Sequence, residues 1–217
     1  MTTTGPPKRD TYRHGDLRRA LLTAGTELAR DGGPDAVVLR EATRRVGVAP
    51  NAAYRHFADR RALLHAVCAA AQAELAVAME LELAGTDGTD GTDGTDPIST
   101  ARAHLRAVGT GYLRFAQAQP GLFRTAFSVP DDLDDADSAA RAGSTGRTPF
   151  QLLAAALDER VAAGALPPER RPGAEFLAWS AVHGLAMLLI DGPLRSLPPE
   201  RKAVVGGRLL AMVEKGL

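Results

Sequence analysis

From Val38 to Leu64 the chain interleaves basic, small and aromatic residues in an order that a plain core helix does not need. Arg40, Arg44, Arg45, Arg55 and Arg60 bring positive charge, which neutralises phosphates and supplies most of the sequence-independent affinity for a duplex. Ala49, Asn51, Ala52 and Ala53 are small enough for a helix backbone to sink into a major groove, where base edges are legible. Asn51 has the one amide in this stretch that can bond adenine through two atoms, and Tyr54 and His56 follow it with polar tips able to reach phosphates. The chemistry these types predict is duplex-DNA reading. The expected contact set is Arg40, Arg44, Ala49, Pro50, Asn51, Ala52, Tyr54, Arg55, His56 and Arg60.

A second group is apolar. Trp179 and His183 lie four apart on one helical face and, with Phe115, Phe123 and Phe127, could line a cavity for a small apolar or aromatic effector; a core tryptophan stacked on a satisfied histidine explains the same spacing equally well. Catalysis finds no support. The chain has no phosphate-cradling loop of the P-loop kind, no His-Glu-x-x-His, no metal spacing among its five histidines and no helper near Cys68 in sequence, so neither cofactor nor metal is expected. A small-molecule carrier or interaction protein without a DNA role is the competing class, and it leaves the recognition segment without a purpose.

The elements that must hold these residues read as helices. After Asp16, a plausible N-cap, Leu17, Ala20, Leu21, Ala24 and Leu28 recur at the spacing of one helix face until Gly32, Gly33 and Pro34 stop it. Short helices over Leu39 to Val46 and Pro50 to His56 flank a turn at Gly47, a helix-turn-helix pattern. A long helix from Asp59 to Leu83 carries a stripe through Leu63, Ala66, Val67, Ala70, Glu74, Val77 and Leu81 and connects two halves. Residues 85–96 repeat Gly-Thr-Asp and read as a flexible surface loop; the calcium-binding EF-hand pattern is absent. Helices follow over Ser99 to Gln117, from Pro120 through Phe127, through Phe150, Leu153, Leu157 and Val161, from Gly173 to Ile190 and from Pro199 to Lys215, with an acidic loop over Asp131 to Gly146. With no strand-like alternation, the fold class is all-α with about nine helices: a three-helix DNA-binding domain over residues 1–58 and a ligand-binding and dimerisation domain over residues 59–217.

The segment from Gly173 to Ile190 is apolar nearly all round, so it needs cover on two sides. Val182, Leu185 and Leu189, with Val205, Leu209 and Met212 on the last helix, are the expected homodimer interface; a monomer burying both faces internally is the alternative.

The chain has 217 residues, 45% of them apolar, a mean hydropathy of −0.12 and no net charge. Charge is unevenly spread: residues 1–65 hold 12 Lys or Arg against 7 Asp or Glu, and the rest 14 against 19. A basic nucleic-acid module joined to an acidic partner fits this. One cysteine excludes an internal disulfide framework and points to a reducing compartment, and a polar N-terminus with a longest apolar stretch of Ala181 to Ile190 predicts neither secretion nor membrane insertion. A cytoplasmic protein is expected.

From about Tyr12 to Val67 the sequence resembles the DNA-binding domain of the tetracycline-repressor (TetR) family: Gly47-Val48, Tyr54-Arg55-His56-Phe57, Asp59-Arg60 and Leu63-Leu64 match its glycine turn, the end of its recognition helix and its basic opening of helix four. The resemblance implies a homodimer on a palindromic operator, released by a small molecule. It gives Tyr54, His56 and Arg60 phosphate contacts and Phe57 a core place. Val38, Thr43 and Ala49 depart from the pattern, which generally has a capping Ser or Thr, an Ala and a capping Ser there. Each missing cap costs about 1 kcal/mol of helix stability. Further on, Pro120 to Phe127 and Trp179-Ser-Ala-Val-His-Gly184 resemble the ligand-domain subgroup named for its Trp-His-Gly signature.

Overall fold

The computed structural model describes residues 14–87, 96–129 and 138–217, and among them every regular element is helical. Helix α1 (His14–Gly32) starts two residues before the expected cap at Asp16 and buries Leu17, Leu21, Ala24 and Leu28. Helices α2 (Leu39–Val46) and α3 (Pro50–Ala53) follow; α3 is shorter than the expected Pro50 to His56 because Tyr54 to His56 form a turn. Helix α4 (Arg60–Asp87) is capped by Asp59, whose carboxylate accepts from the Ala62 amide at 2.8 Å.

Helix α4 runs through the middle of the molecule, against α1, α5 (Pro97–Ala118), α6 (Pro120–Ala126) and α7 (Pro149–Ala162). It is the one described helix long and apolar enough to cross a bilayer by length and composition, although the sequence reading saw no segment of that kind. Here its apolar groups serve as core: Leu63, Val67, Cys68, Ala71, Leu75, Ala76 and Met79 are buried. Leu81, placed in the stripe by spacing, is exposed instead, and Glu74 bonds Arg30 of α1 at 3.0 Å, which explains a carboxylate on that face. Helices α4 and α5 touch backbone to backbone. A Cβ on Gly111 would lie 2.6 Å from the Met79 Cα.

The Gly-Thr-Asp tract is not a loop from end to end. Gly85 to Asp87 complete α4, Asp96 caps α5 by accepting from Ser99 Oγ and the Ile98 amide, and residues 88–95 lie outside the described residues. The acidic segment is likewise partly structured. Residues 131–137 are outside the description, but Ala139–Arg141 form a single 3-10 turn, Arg141 bonds Gln72 of α4, and Ser144 and Thr145 donate to the Glu80 carboxylate. Burial works against the Glu80 carboxylate, and those hydrogen bonds outweigh it, holding its pKa below the ordinary value. Helices α8 (Ala174–Ile190) and α9 (Pro199–Gly216) close the bundle against α5.

Candidate nucleic-acid interface and aromatic site

The turn between α2 and α3 is set by Gly47, whose φ of 76° lies in the left-handed region open to glycine. Its amide and that of Val48 close the end of α2 on Arg44 and Thr43 carbonyls. Ala53 and Phe57, four apart, face inward and are buried, so Asn51, Tyr54 and Arg55 point outward; Tyr54 keeps 56% of its surface. Ala49, Pro50 and Arg40 are also exposed, and Ala52 and His56 are half-buried. Neither Val38 nor Ala49 makes a side-chain cap bond, as their apolar side chains require. Thr43 is buried and returns its hydroxyl to the Arg40 carbonyl at 2.7 Å.

The basic residues divide into two sets. Arg44 is held by both oxygens of Glu41, and Arg45 bonds Asp31 at 3.1 Å. Arg60 turns back on its own chain, Nε donating to the Val37 carbonyl and Nη2 to the Pro34 carbonyl, both at 2.8 Å. It thereby ties the start of α4 to the loop before α2. Arg40, Arg55 and Arg61 are exposed and make no ion pair among the described residues. Arg18 of α1 lies 5.2 Å above the Phe57 ring.

In the other half, four of the five expected effector residues come together. Phe123 of α6 and Phe127, which caps its C-terminal end, meet Trp179 and His183 of α8 through ring contacts between 4.9 and 6.1 Å: His183 stacks on Phe123, packs edge-on to Phe127, and Phe127 tilts against Trp179. Phe115 does not join them; it is core, without a ring contact to the cluster among the described residues. Tyr112 of α5, which the sequence reading missed, stands at the centre. Its ring meets Phe123 at 5.3 Å, and its hydroxyl contacts both Trp179 Nε1 (3.1 Å) and His183 Nδ1 (2.8 Å). The buried run Leu105, Val108, Tyr112 and Ala116 on α5 is the signal that could have found it. Phe150 and Phe176 extend the ring contacts from Trp179 to the surface. Burial raises the Tyr112 pKa and lowers that of His183.

Beside Tyr112 and Trp179 is an apolar cavity of about 40 Å³, lined also by Leu105, Val108, Leu153 and Leu210. Pockets for small molecules are typically about 300 Å³ or more, so this cavity is well below that size. Helix α6 is fastened to both halves: Arg124 grips Asp191 at the end of α8 with two nitrogens, and Gly121 lies on the last turn of α1. The Arg124 guanidinium holds the Asp191 carboxyl below its usual pKa.

The expected dimer residues differ in how far one chain already covers them. Within one chain Val182, Leu185 and Leu189 are already buried in the core, and Val205 and Leu209 pack partly against the same core. Of the six, only Met212 is exposed. The apolar groups left uncovered on these helices are Leu177, at 67% exposure, Leu188, Val204 and Met212. Phe176 is also exposed, beside Phe150.

A family model described as bacterial regulatory proteins, tetR family, matches residues 21–67, and one described as tetracyclin repressor-like, C-terminal domain, matches residues 105–212. No curated protein matches the chain. Among solved structures, a protein of unknown function from Rhodococcus sp. RHA1 is 27% identical with a TM-score of 0.68, covering 96% of this chain and 99% of that one. A putative tetR family transcription regulator from Shewanella sp. PV-4 is 17% identical with a TM-score of 0.54, covering 92% and 97%. A TetR variant from Acinetobacter baumannii AYE in complex with minocycline is also 17% identical, with a TM-score of 0.56 and coverage of 95% and 96%. At such identities the last two speak for the fold.

Proposed function

Since the chain carries the N-terminal DNA-binding domain and a C-terminal domain of the TetR family, and so belongs among its non-enzymatic transcriptional regulators, we propose that it is a cytoplasmic repressor that leaves a palindromic operator when a small molecule binds. The observation that carries this reading is the recognition segment: Asn51, Tyr54 and Arg55 project from a helix-turn-helix whose inward face is Ala53 and Phe57, with Arg40 exposed beside them. Residues 1–58 act as the DNA-binding domain and residues 59–217 as the ligand and dimer domain, with a C-terminal half of the Trp-His-Gly type. Two chains pair through the uncovered apolar groups of α8 and α9 and place their recognition helices in successive major grooves, so half-sites fall about 10 bp apart or at a multiple of that.

The effector is a small apolar or aromatic molecule held among Phe123, Phe127, Trp179 and His183. What supports this is α6, seven residues long, with Phe123 and its C-cap residue Phe127 in the ring cluster and Gly121 against α1 of the DNA-binding half. A ligand that parts the rings displaces α6 and with it α1. It shifts the DNA-competent population only by as much as its affinity differs between the two states.

Selection of the purified protein against random duplex DNA, with recovered sites titrated at several salt concentrations, tests the reading. A palindromic consensus with a steep salt slope is the expected result. Weak, sequence-blind binding that persists after bound ligand is stripped would favour the carrier class instead.

A further inference from the structure

The three polar groups inside the aromatic cluster have a fixed direction of hydrogen bonding. An indole N–H only donates, so the Tyr112 oxygen accepts from Trp179 at 3.1 Å. If His183 also donated to that oxygen, the hydroxyl proton of a buried tyrosine would have no acceptor among the described residues, and an unmade bond in such a place is expensive. Tyr112 therefore donates to Nδ1 of His183 at 2.8 Å. Burial disfavours the imidazolium, and a neutral imidazole that accepts at Nδ1 carries its proton on Nε2. That N–H has no partner among the described residues, on a half-buried ring stacked 5.5 Å from Phe123 and set edge-on to Phe127 at 4.9 Å.

Resting on the reading of this cluster as the effector site, we infer that the relay from Trp179 through Tyr112 to His183 makes the site a selector for uncharged flat aromatics bearing a hydrogen-bond acceptor, a carbonyl oxygen or ring nitrogen that takes the His183 Nε2 proton. The rings supply stacking surface for the flat body. Molecules whose polar edge only donates are disfavoured, because two N–H groups then face each other and neither gains an acceptor from the other. Tyr112 is a positioning residue here: it sets the tautomer of His183.

Quinoline, which has a ring nitrogen acceptor, and indole, which has only an N–H donor, are bicyclic probes of nearly equal size. Calorimetric titration of the full-length protein with each should give quinoline about tenfold tighter binding than indole, the size of one hydrogen bond made against one left unmade. In Tyr112→Phe the imidazole is free to turn a lone pair toward the ligand, and the ratio should fall toward one even if both affinities change. Trp179→Phe leaves the Tyr112–His183 pair but releases the hydroxyl to rotate, so its ratio should lie between the two; should Tyr112→Phe not fold, this variant decides alone. Equal binding of the probes by the wild type, an undiminished ratio in the folded variants, or no saturable binding of either probe overturns the relay. Operator selection is a separate readout. A protein that selects an operator but treats the probes alike loses only the relay, whereas one that separates the probes but selects no operator loses the DNA reading.

Discussion

A Cβ on Gly121 would lie 2.5 Å from the carbonyl oxygen of Arg30, so α6 rests on the last turn of α1 backbone to backbone. Neither side of that contact is a flexible side chain that could step aside. Gly121→Ala should therefore part the two helices and destabilise the protein by about 1–3 kcal/mol, read as a lower urea midpoint at unchanged slope. A midpoint equal to the wild type would show that α6 is not seated on α1.

Arg60 and Arg40 should behave differently on DNA although both are basic residues of the recognition half. Removing a side chain that neutralises a phosphate lowers the slope of log affinity against log salt by about one, and Arg40→Ala and Arg55→Ala should do so. Arg60 spends two of its nitrogens on the Val37 and Pro34 carbonyls. Arg60→Lys, which keeps the charge and loses the fork, should weaken operator binding with little change in salt slope and speed hydrogen exchange in α2. A fully active Arg60→Lys would restore Arg60 to the role of simple phosphate contact.

Base choice should rest on Asn51. Asn51→Ala is expected to relax preference at one position of each half-site, at about 1–3 kcal/mol for the preferred base, while Tyr54→Ala weakens all sequences alike. Repeating the random-duplex selection with both variants checks this, and the reverse pattern would exchange their roles.

The dimer should respond to groups that one chain leaves uncovered. Leu177→Glu and Val204→Glu are expected to give folded monomers by analytical ultracentrifugation, whereas Leu185→Glu, which puts a charge into the core of one chain, should cost folding itself. Dimers that survive both exposed substitutions would place the interface elsewhere.

Acid should weaken the aromatic site. Burial lowers the pKa of His183 in the folded chain below 6.5, its ordinary value when unfolded. Between those two values the unfolded chain binds the extra proton more readily, so the His183 contribution is complete above about 6.5 and is lost as pH falls toward the folded value. Denaturation midpoints measured down through this range should fall less steeply in His183→Gln than in the wild type; parallel slopes would mean that the buried ring is not what titrates.

Much of this was legible in the sequence because periodicity and glycine act locally. The apolar face of α1 and the turn at Gly47 followed from spacing and from one residue's conformational freedom. Which side of α8 a single chain covers was not legible, since a helix apolar nearly all round has no direction in its period; Val182, Leu185 and Leu189 are buried within the chain. Nor was the bend of Arg60, whose acceptors are backbone carbonyls that every residue type carries. The Glu80 anchor over Ser144 and Thr145 was hidden for the same reason, because amide donors leave little mark on composition. Tyr112 was not legible as a member of the cluster because its partners reach it from α6 and α8, so no spacing along its own helix marks them.

Trp179 is the only tryptophan of the chain, and it lies between the packed rings of α6 and the half-exposed edge at Phe176. The protein therefore carries its own optical gauge. Light absorbed at the red edge of the ultraviolet band excites this indole alone, and its emission colour reports how wet its surroundings are. The distance between ring cluster and recognition helix then becomes an advantage, since DNA docking and ring separation can be timed in one cuvette. Whichever signal moves first after mixing tells the order in which the two halves communicate.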